Sequence, residues 1–473
     1  MPSSFRRPCV GIVSSLLAMV THGAFAADDA TAPAPAIDPS VAARLDALDQ
    51  QVQLMSRKLA AVQDESAAKA KDTATIKAGP DGFTIGNGDG SYSLRIGGYA
   101  QVGAKFFLTD DDRPTNNTLY INRARLIFDG VLGPYVGFRV MPDLAPGRAL
   151  LADVYAQLKL SPQAVVQVGR FKEPFGLERL QSDAVMLFIE RSLASQLTPD
   201  RDTGVQLGGI LGGKVEYALG IFNGALDGAS RDNDSNDDKE GVARVFATPF
   251  KDGGEAVRGI GIGIGGTIAQ DEGTAAAPNI TSFKSAGESI PGATDKIFVY
   301  RTGATPATAV VPDGWHWRVS PQAYWYAGPF GLLAEYVVSA QDVSIGGSRT
   351  RLVNSAWNGQ IGWVLTGENA SFTGVKVAHP FDPKAGTWGA LEIGLRVSRL
   401  DVDSDAFPIY ADPTKSVRSA TAYGAALNWY LTRNLKLQTD YEITRFDGGA
   451  GAGVAVSDLQ DEHVIESMLQ VSF

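Results

Sequence analysis

Arg123 and Arg125 stand two residues apart in Leu119–Gly130, a stretch whose side chains alternate between faces. At period 2, both arginines leave one face while Ala124, Leu126 and Phe128 leave the other. Arg139 falls on the matching polar face of the next segment, 135–143. Guanidinium groups are weakly hydrated, forked donors that suit carboxylate and phosphate. A row of them in a narrow, low-dielectric passage would draw anions and exclude cations. Asp129, Asp143 and Asp153 fall on the same predicted face. Charge balance is therefore the competing reading, and the pattern alone does not separate the two.

Enzyme chemistry has little to stand on. After export the histidines would be His316, His379 and His463, none at metal-ligand spacing with another. A barrel enzyme would need a histidine clustered with Ser or Asp at the barrel surface, and these three are scattered. No G-x-S-x-G elbow occurs. Gly261, Gly263 and Gly266 formally match a dinucleotide fingerprint, but they lie in a Gly/Ile strand with no helix after it. Asp232–Asp238 is acidic, yet it lacks the sixth-position glycine and twelfth-position acid of a calcium loop, where Ala243 stands. A solvated external loop is the simpler reading. No catalytic residue, metal or cofactor is expected.

The N-terminus points to export. Arg6 and Arg7 precede a short apolar run, Cys9–Val20, and Ala24-Phe25-Ala26 fits a signal-peptidase site, with cleavage between Ala26 and Ala27. The single cysteine, Cys9, lies in that peptide, so the exported chain would hold no thiol. Residues 1–26 carry two arginines and no acid, so cleavage moves the net charge from −10 to −12. That acidity argues against nucleic acid as a partner and weighs against anion transport. No apolar run reaches the ~20 residues of a spanning helix.

The elements that must position the arginines are strands. About sixteen are read: 92–107, 118–130, 135–143, 149–160, 164–171, 203–211, 214–222, 241–248, 257–270, 315–326, 330–341, 353–366, 388–400, 419–431, 434–446 and 462–473. Tight turns such as Leu132-Gly133-Pro134 and Ser161-Pro162-Gln163 alternate with long connections such as 172–202, 223–240 and 271–314. Short periplasmic turns and long external loops make this pattern in a membrane meander. Trp315, Trp317, Trp325, Tyr326, Trp429 and Tyr430 sit near strand ends, as interfacial girdles do. The last strand ends on Phe473, as in many outer-membrane barrels. The expectation is an all-β, 16-stranded antiparallel transmembrane β-barrel over 91–473.

Before the barrel come an Ala/Pro linker (27–40), a helical segment (41–66) and a second linker (67–90). Val41, Leu45, Leu48, Val52, Met55, Leu59 and Val62 are spaced 4, 3, 4, 3, 4, 3. That is a heptad seam about three repeats long, at the lower limit for a coiled coil. A single amphipathic helix is the other reading.

Segment 172–202 breaks the β pattern and is apolar enough to fold: Leu177, Leu180, Val185, Met186, Leu187, Phe188 and Ile189. The lumen wall is available to it, and the glycines of 259–266 would leave room. The run Gly169-Arg170-Phe171-Lys172-Glu173-Pro174-Phe175-Gly176-Leu177-Glu178, with Glu190-Arg191-Ser192-Leu193-Ala194, resembles the phosphate-selective porin O and P family. Arg123-Ala124-Arg125-Leu126, Leu365-Thr366-Gly367-Glu368 and Asn428-Trp429-Tyr430-Leu431 extend the resemblance along the barrel. It implies a 16-stranded homotrimer in the outer membrane of a Gram-negative bacterium, in contact with lipid and lipopolysaccharide. It also implies a folded-in loop around Phe175, Gly176, Leu177 and Glu178 that forms the constriction. Small anions such as phosphate would pass a channel lined by Arg123, Arg125, Arg139, Lys172, Arg179 and Arg191. The family often has paired arginines where this chain has Asn122-Arg123, and segment 172–202 holds six acidic residues to four basic. A non-selective or cation-preferring porin of the same fold, and a surface binding or adhesin barrel, are the alternatives.

Overall fold

The computed structural model describes residues 38–108, 116–145, 147, 149–231, 237–285, 287, 296–451 and 458–473. The expected signal peptide and Ala26–Ala27 cleavage site, most of the first linker and most of the acidic run after Arg231 lie outside the described residues. The chain divides into two units, 1–69 and 70–473.

In the first unit, helix α1 (Pro39–Asp72) starts on a cap written in the sequence. Asp38 Oδ1 accepts the Ser40 N–H at 2.9 Å, and Pro39 follows it, where a missing N–H costs nothing. The seven seam residues Val41 to Val62 are each 47–68 % exposed. The seam's loss of apolar residues after Val62 does not end the helix, because Ala67, Ala68 and Ala70 are strong helix formers.

In the second unit, the segment read as linker 67–90 holds the end of α1 and a hairpin, β1 (Thr75–Gly79) and β2 (Gly82–Gly86). These five-residue strands are too short to show a clear period. The barrel follows: β3 (Tyr92–Phe107), β4 (Thr118–Leu132), β5 (Val136–Asp143), β6 (Leu150–Ser161), β7 (Ala164–Lys172), β8 (Arg201–Leu211), β9 (Val215–Phe222), β10 (Glu240–Ala247), β11 (Ile260–Glu272), β12 (Val311–Ala327), β13 (Phe330–Ile345), β14 (Ser348–Val364), β15 (Ala390–Asp401), β16 (Val417–Tyr430), β17 (Leu435–Gly448) and β18 (Glu462–Ser472). Each of the sixteen strands expected from the sequence falls on one of these. Each pairs antiparallel with the next, and β18 pairs with β3 from Val464↔Phe107 to Ser472↔Tyr99, closing the barrel. Phe473 completes the seam, exchanging two backbone hydrogen bonds with Gly98 at 2.9 and 3.0 Å. Residues 342–352, expected as a loop, extend β13 and β14 into a hairpin turned by Gly346 and Gly347, whose φ values of 56° and 84° suit a two-residue turn.

The outer face is apolar, with Leu119, Ile121, Ile262, Ile264, Ile268, Leu427 and Leu469 exposed. Inside, one side of the lumen is filled. Phe175, Leu193 and Leu197 from loop 173–200 pack with Phe283, Phe298, Tyr410 and the wall residues Val337, Leu352, Leu400 and Phe446. This apolar core presses the loops against β13–β17. The same loop lines an outer recess, bordered by Arg123 on β4 and by residues 280–284, and an inner recess, bordered by β6–β10.

Candidate permeation site

Loop 173–200 is held flat by side chains from the wall. The carbonyls of Ala184, Met186, Leu187 and Glu190 accept from Lys436 and Gln470, Gln438, Asn428 and Arg396 respectively. The Ile189 N–H donates to Asp440 at 2.6 Å. At the other end, Gln322 donates to the Phe175 carbonyl, and Glu335 accepts the N–H groups of Leu177 and Glu178 at 2.7 and 3.3 Å. The expected fit against the glycine strand occurs at Gly265, where a Cβ would lie 2.8 Å from the Phe175 oxygen. Gly261 and Gly263 are instead covered by the ring of Phe246.

The residues expected to form the constriction are therefore anchors. Phe175 and Leu177 are fully buried. Glu178 braces the loop from within, accepting from Ser192 Oγ at 2.5 Å and Ser195 Oγ at 3.1 Å. Gly176 packs against Thr198, so closely that a Cβ on it would lie 2.8 Å from Thr198 Cγ2.

The arginines converge through a bulge. Gln101 pairs with Arg123 and Val102 with Ile121, leaving Asn122 as the extra residue in β4. Bulges re-aim side chains locally. Here Asn122 reaches Glu190 at 3.1 Å, while Arg123 and Arg125 both meet one carboxylate, Asp183 of the loop. Arg125 Nη1 bonds Asp183 Oδ2, and Arg123 Nε lies 3.5 Å from the same oxygen. Arg191 Nη2 lies 2.5 Å from Asp183 Oδ1. Arg125 also pairs with Asp143 at 2.7 Å. Burial alone would raise the Asp183 carboxyl, but Arg123, Arg191, Arg125 and Lys172 outweigh it and hold the group well below the usual carboxylate range.

The other sequence-nominated cations are placed differently. Lys172 Nζ donates to the Gln181 carbonyl at 2.8 Å and faces the inner recess. Arg179 donates to Thr198 Oγ1 and the Ser195 carbonyl, 3.9 Å from Asp200. Arg139 does not join the cluster. It pairs with Asp129 at 2.6 Å, which Arg95 also contacts, about four residues (roughly 13 Å) along β4 from Arg125. Its partner is thus Asp129, one of the acids that the charge-balance reading named. For Arg123 and Arg125, the main partner is Asp183, which the sequence showed only as one of six loop acids.

The scattered histidines also need a correction. His316 Nδ1 lies 2.8 Å from Asp271 and Nε2 3.0 Å from Ser339 Oγ. The three resemble a hydrolytic triad in connectivity. All are buried, however, and the serine hydroxyl donates to Asp227 at 2.8 Å. With Arg318, which bonds Asp227, Glu240 and the Ala225 carbonyl, they pin residues 225–227 to the wall.

The outer recess, with about 1100 Å³ of free space, is lined by Arg123, Arg179, Arg191, Lys284 and Lys296 against Glu190 and Asp227. The inner recess is balanced, with Lys172 and Arg244 against Asp153 and Glu216.

A closed antiparallel barrel, apolar outside, with an infolded loop and charged side chains lining what remains of the lumen, is the architecture of an outer-membrane diffusion channel. The family described as phosphate-selective porin O and P matches residues 95–473, and the chain belongs to that family. No individual curated protein matches the sequence. Among solved structures, an anion-selective porin from Comamonas acidovorans aligns with a TM-score of 0.51 at 12 % identity, covering 81 % of this chain and 100 % of that one. The trimer form of OmpT, an outer-membrane protein of Vibrio cholerae, aligns at 0.48 and 11 % identity, covering 81 % and 100 %. Pseudomonas putida OprB in a high-pH structure aligns at 0.47 and 12 % identity, covering 81 % and 95 %.

Proposed function

We propose that this porin is a passive channel for small hydrophilic solutes that favours anions such as phosphate. The observation supporting this is the outer recess, where, among the described residues, five basic side chains face two acidic ones. Guanidinium and ammonium groups there raise the local concentration of anions at the entrance to the passage. Export by cleavage after Ala26, assembly as a homotrimer and contact with lipopolysaccharide belong to the same proposal, resting on the N-terminal sequence and the family. The test is the zero-current potential in planar bilayers under a KCl gradient. The wild type should be anion-preferring, and replacing Arg123 and Arg125 with Ala should lower that preference. An unchanged potential in the double variant counts against the assignment. A second reading, a non-selective or cation-preferring porin, is favoured by one observation: Asp183 already occupies the arginines. A cation-preferring wild type would establish it.

A further inference from the structure

We infer that Asp183 is the resident counter-anion of the arginine cluster and sets how strongly the pore prefers anions. The inference rests on the reading of this lumen as the ion-conducting passage. Three guanidinium groups from two parts of the fold, Arg123 and Arg125 on β4 and Arg191 in the loop, meet on one carboxylate whose side chain is 2 % exposed. Among the described residues, the only other carboxylate paired with any of the three is Asp143, on Arg125. The remaining contacts are neutral acceptors: Gln101 Oε1 for Arg123, Tyr99 Oη for Arg125, and the carbonyls of Glu178 and Gln181 for Arg191. Such a group of forked donors around a planar carboxylate is a seat for an oxyanion. Here a side chain of the chain itself fills it.

A plain structural role, holding the loop to β4, is the competing account. The loop has independent anchors for that purpose. Four of its carbonyls and one N–H between Ala184 and Glu190 are bound by Lys436, Gln470, Gln438, Asn428, Arg396 and Asp440 on β15–β18. None of these involves Asp183. The carboxylate's distinctive effect is therefore electrostatic. It cancels positive charge at the edge of the outer recess that Arg123 and Arg191 line.

Asp183→Asn keeps the shape and one acceptor oxygen and removes the charge. A unit charge about 5 Å from the path changes the relative occupancy of a monovalent anion by about four-fold even at the dielectric of water. The expected result is an anion-to-cation permeability ratio at least about four-fold above wild type, read from zero-current potentials in a KCl gradient. Arg123→Gln, which removes the guanidinium with the longest contact to Asp183, should shift the potential the opposite way. The double variant should return near the wild-type value. A D183N potential equal to wild type, or shifted toward cations, overturns the inference. If D183N yields no channels, R123Q decides, and an unchanged potential there overturns it. The outcomes separate this inference from the functional reading. A cation-preferring wild type refutes the anion preference, whereas the direction of the D183N shift tests Asp183 from either baseline.

Discussion

Arg396 on β15 is the place where one side chain holds the loop most directly. It is 3 % exposed. Its Nη1 donates to the Glu190 carbonyl at 2.7 Å, and its Nη2 meets Glu442 at 2.6 Å. Nη1 also lies 3.7 Å from Glu178, and the guanidinium sits 4.2 Å over the Phe188 ring. Arg396→Met keeps most of the volume and strands the Glu442 carboxylate in a buried setting. Removing one partner of a buried pair costs about 3–5 kcal/mol. The barrel ladder is not touched, so the cost should fall on the loop as a local opening. At 1.4 kcal/mol per factor of ten, the detached population rises by about two to three and a half orders of magnitude. Hydrogen exchange in the detergent-solubilised protein reads this directly, because the Ile189 amide is protected by Asp440 in the closed state. Adding Glu442→Gln should recover part of the protection by removing the stranded charge. Protection at 187–191 within about three-fold of wild type in R396M would refute the idea that this pair carries the loop.

The depressed Asp183 carboxyl predicts a pH window. A lowered folded value means that its pairing contributes in full above the ordinary carboxyl value of 3.8 and is lost as pH falls beneath it. The difference in melting midpoint between wild type and D183N should stay constant from pH 8 to about 5 and shrink only below about 4; a difference that fades already between pH 8 and 6 would contradict the pairing. Gly265→Val should disturb the loop from the opposite wall, since its Cβ would lie 2.8 Å from the Phe175 oxygen. Overpacking of this kind costs about 1–3 kcal/mol, and single-channel conductance should change while the barrel still forms. Conductance identical to wild type would mean the loop does not touch that strand.

The strands were legible because a barrel has one face in lipid and one in the lumen. Ile262, Ile264 and Ile268 must point outward, and the period-2 rule then assigns Gly261, Gly263 and Gly265 inward without further information. The same logic put Arg123 and Arg125 in the lumen. It did not reveal the bulge at Asn122: strict alternation puts Leu119 and Ile121 on the same face as Arg123 and Arg125, whereas the extra residue turns them outward. The hairpin at 75–86 was missed because five-residue strands carry too little periodicity to stand out from a linker.

Sequence alone thus determined the closed barrel, its strand order, the helix α1 and the inward loop, since each follows from a local period or an apolar run. The tertiary structure decided what the charges do. Arg125 and Asp183 are 58 residues apart, and Arg396 and Glu190 are 206 apart. No local pattern specifies contacts of that range, because they depend on where the loop lies once its apolar residues have packed against β13–β17. An arginine in the lumen is an anion site or half of an ion pair according to which loop residue arrives opposite it, and only the folded chain says which.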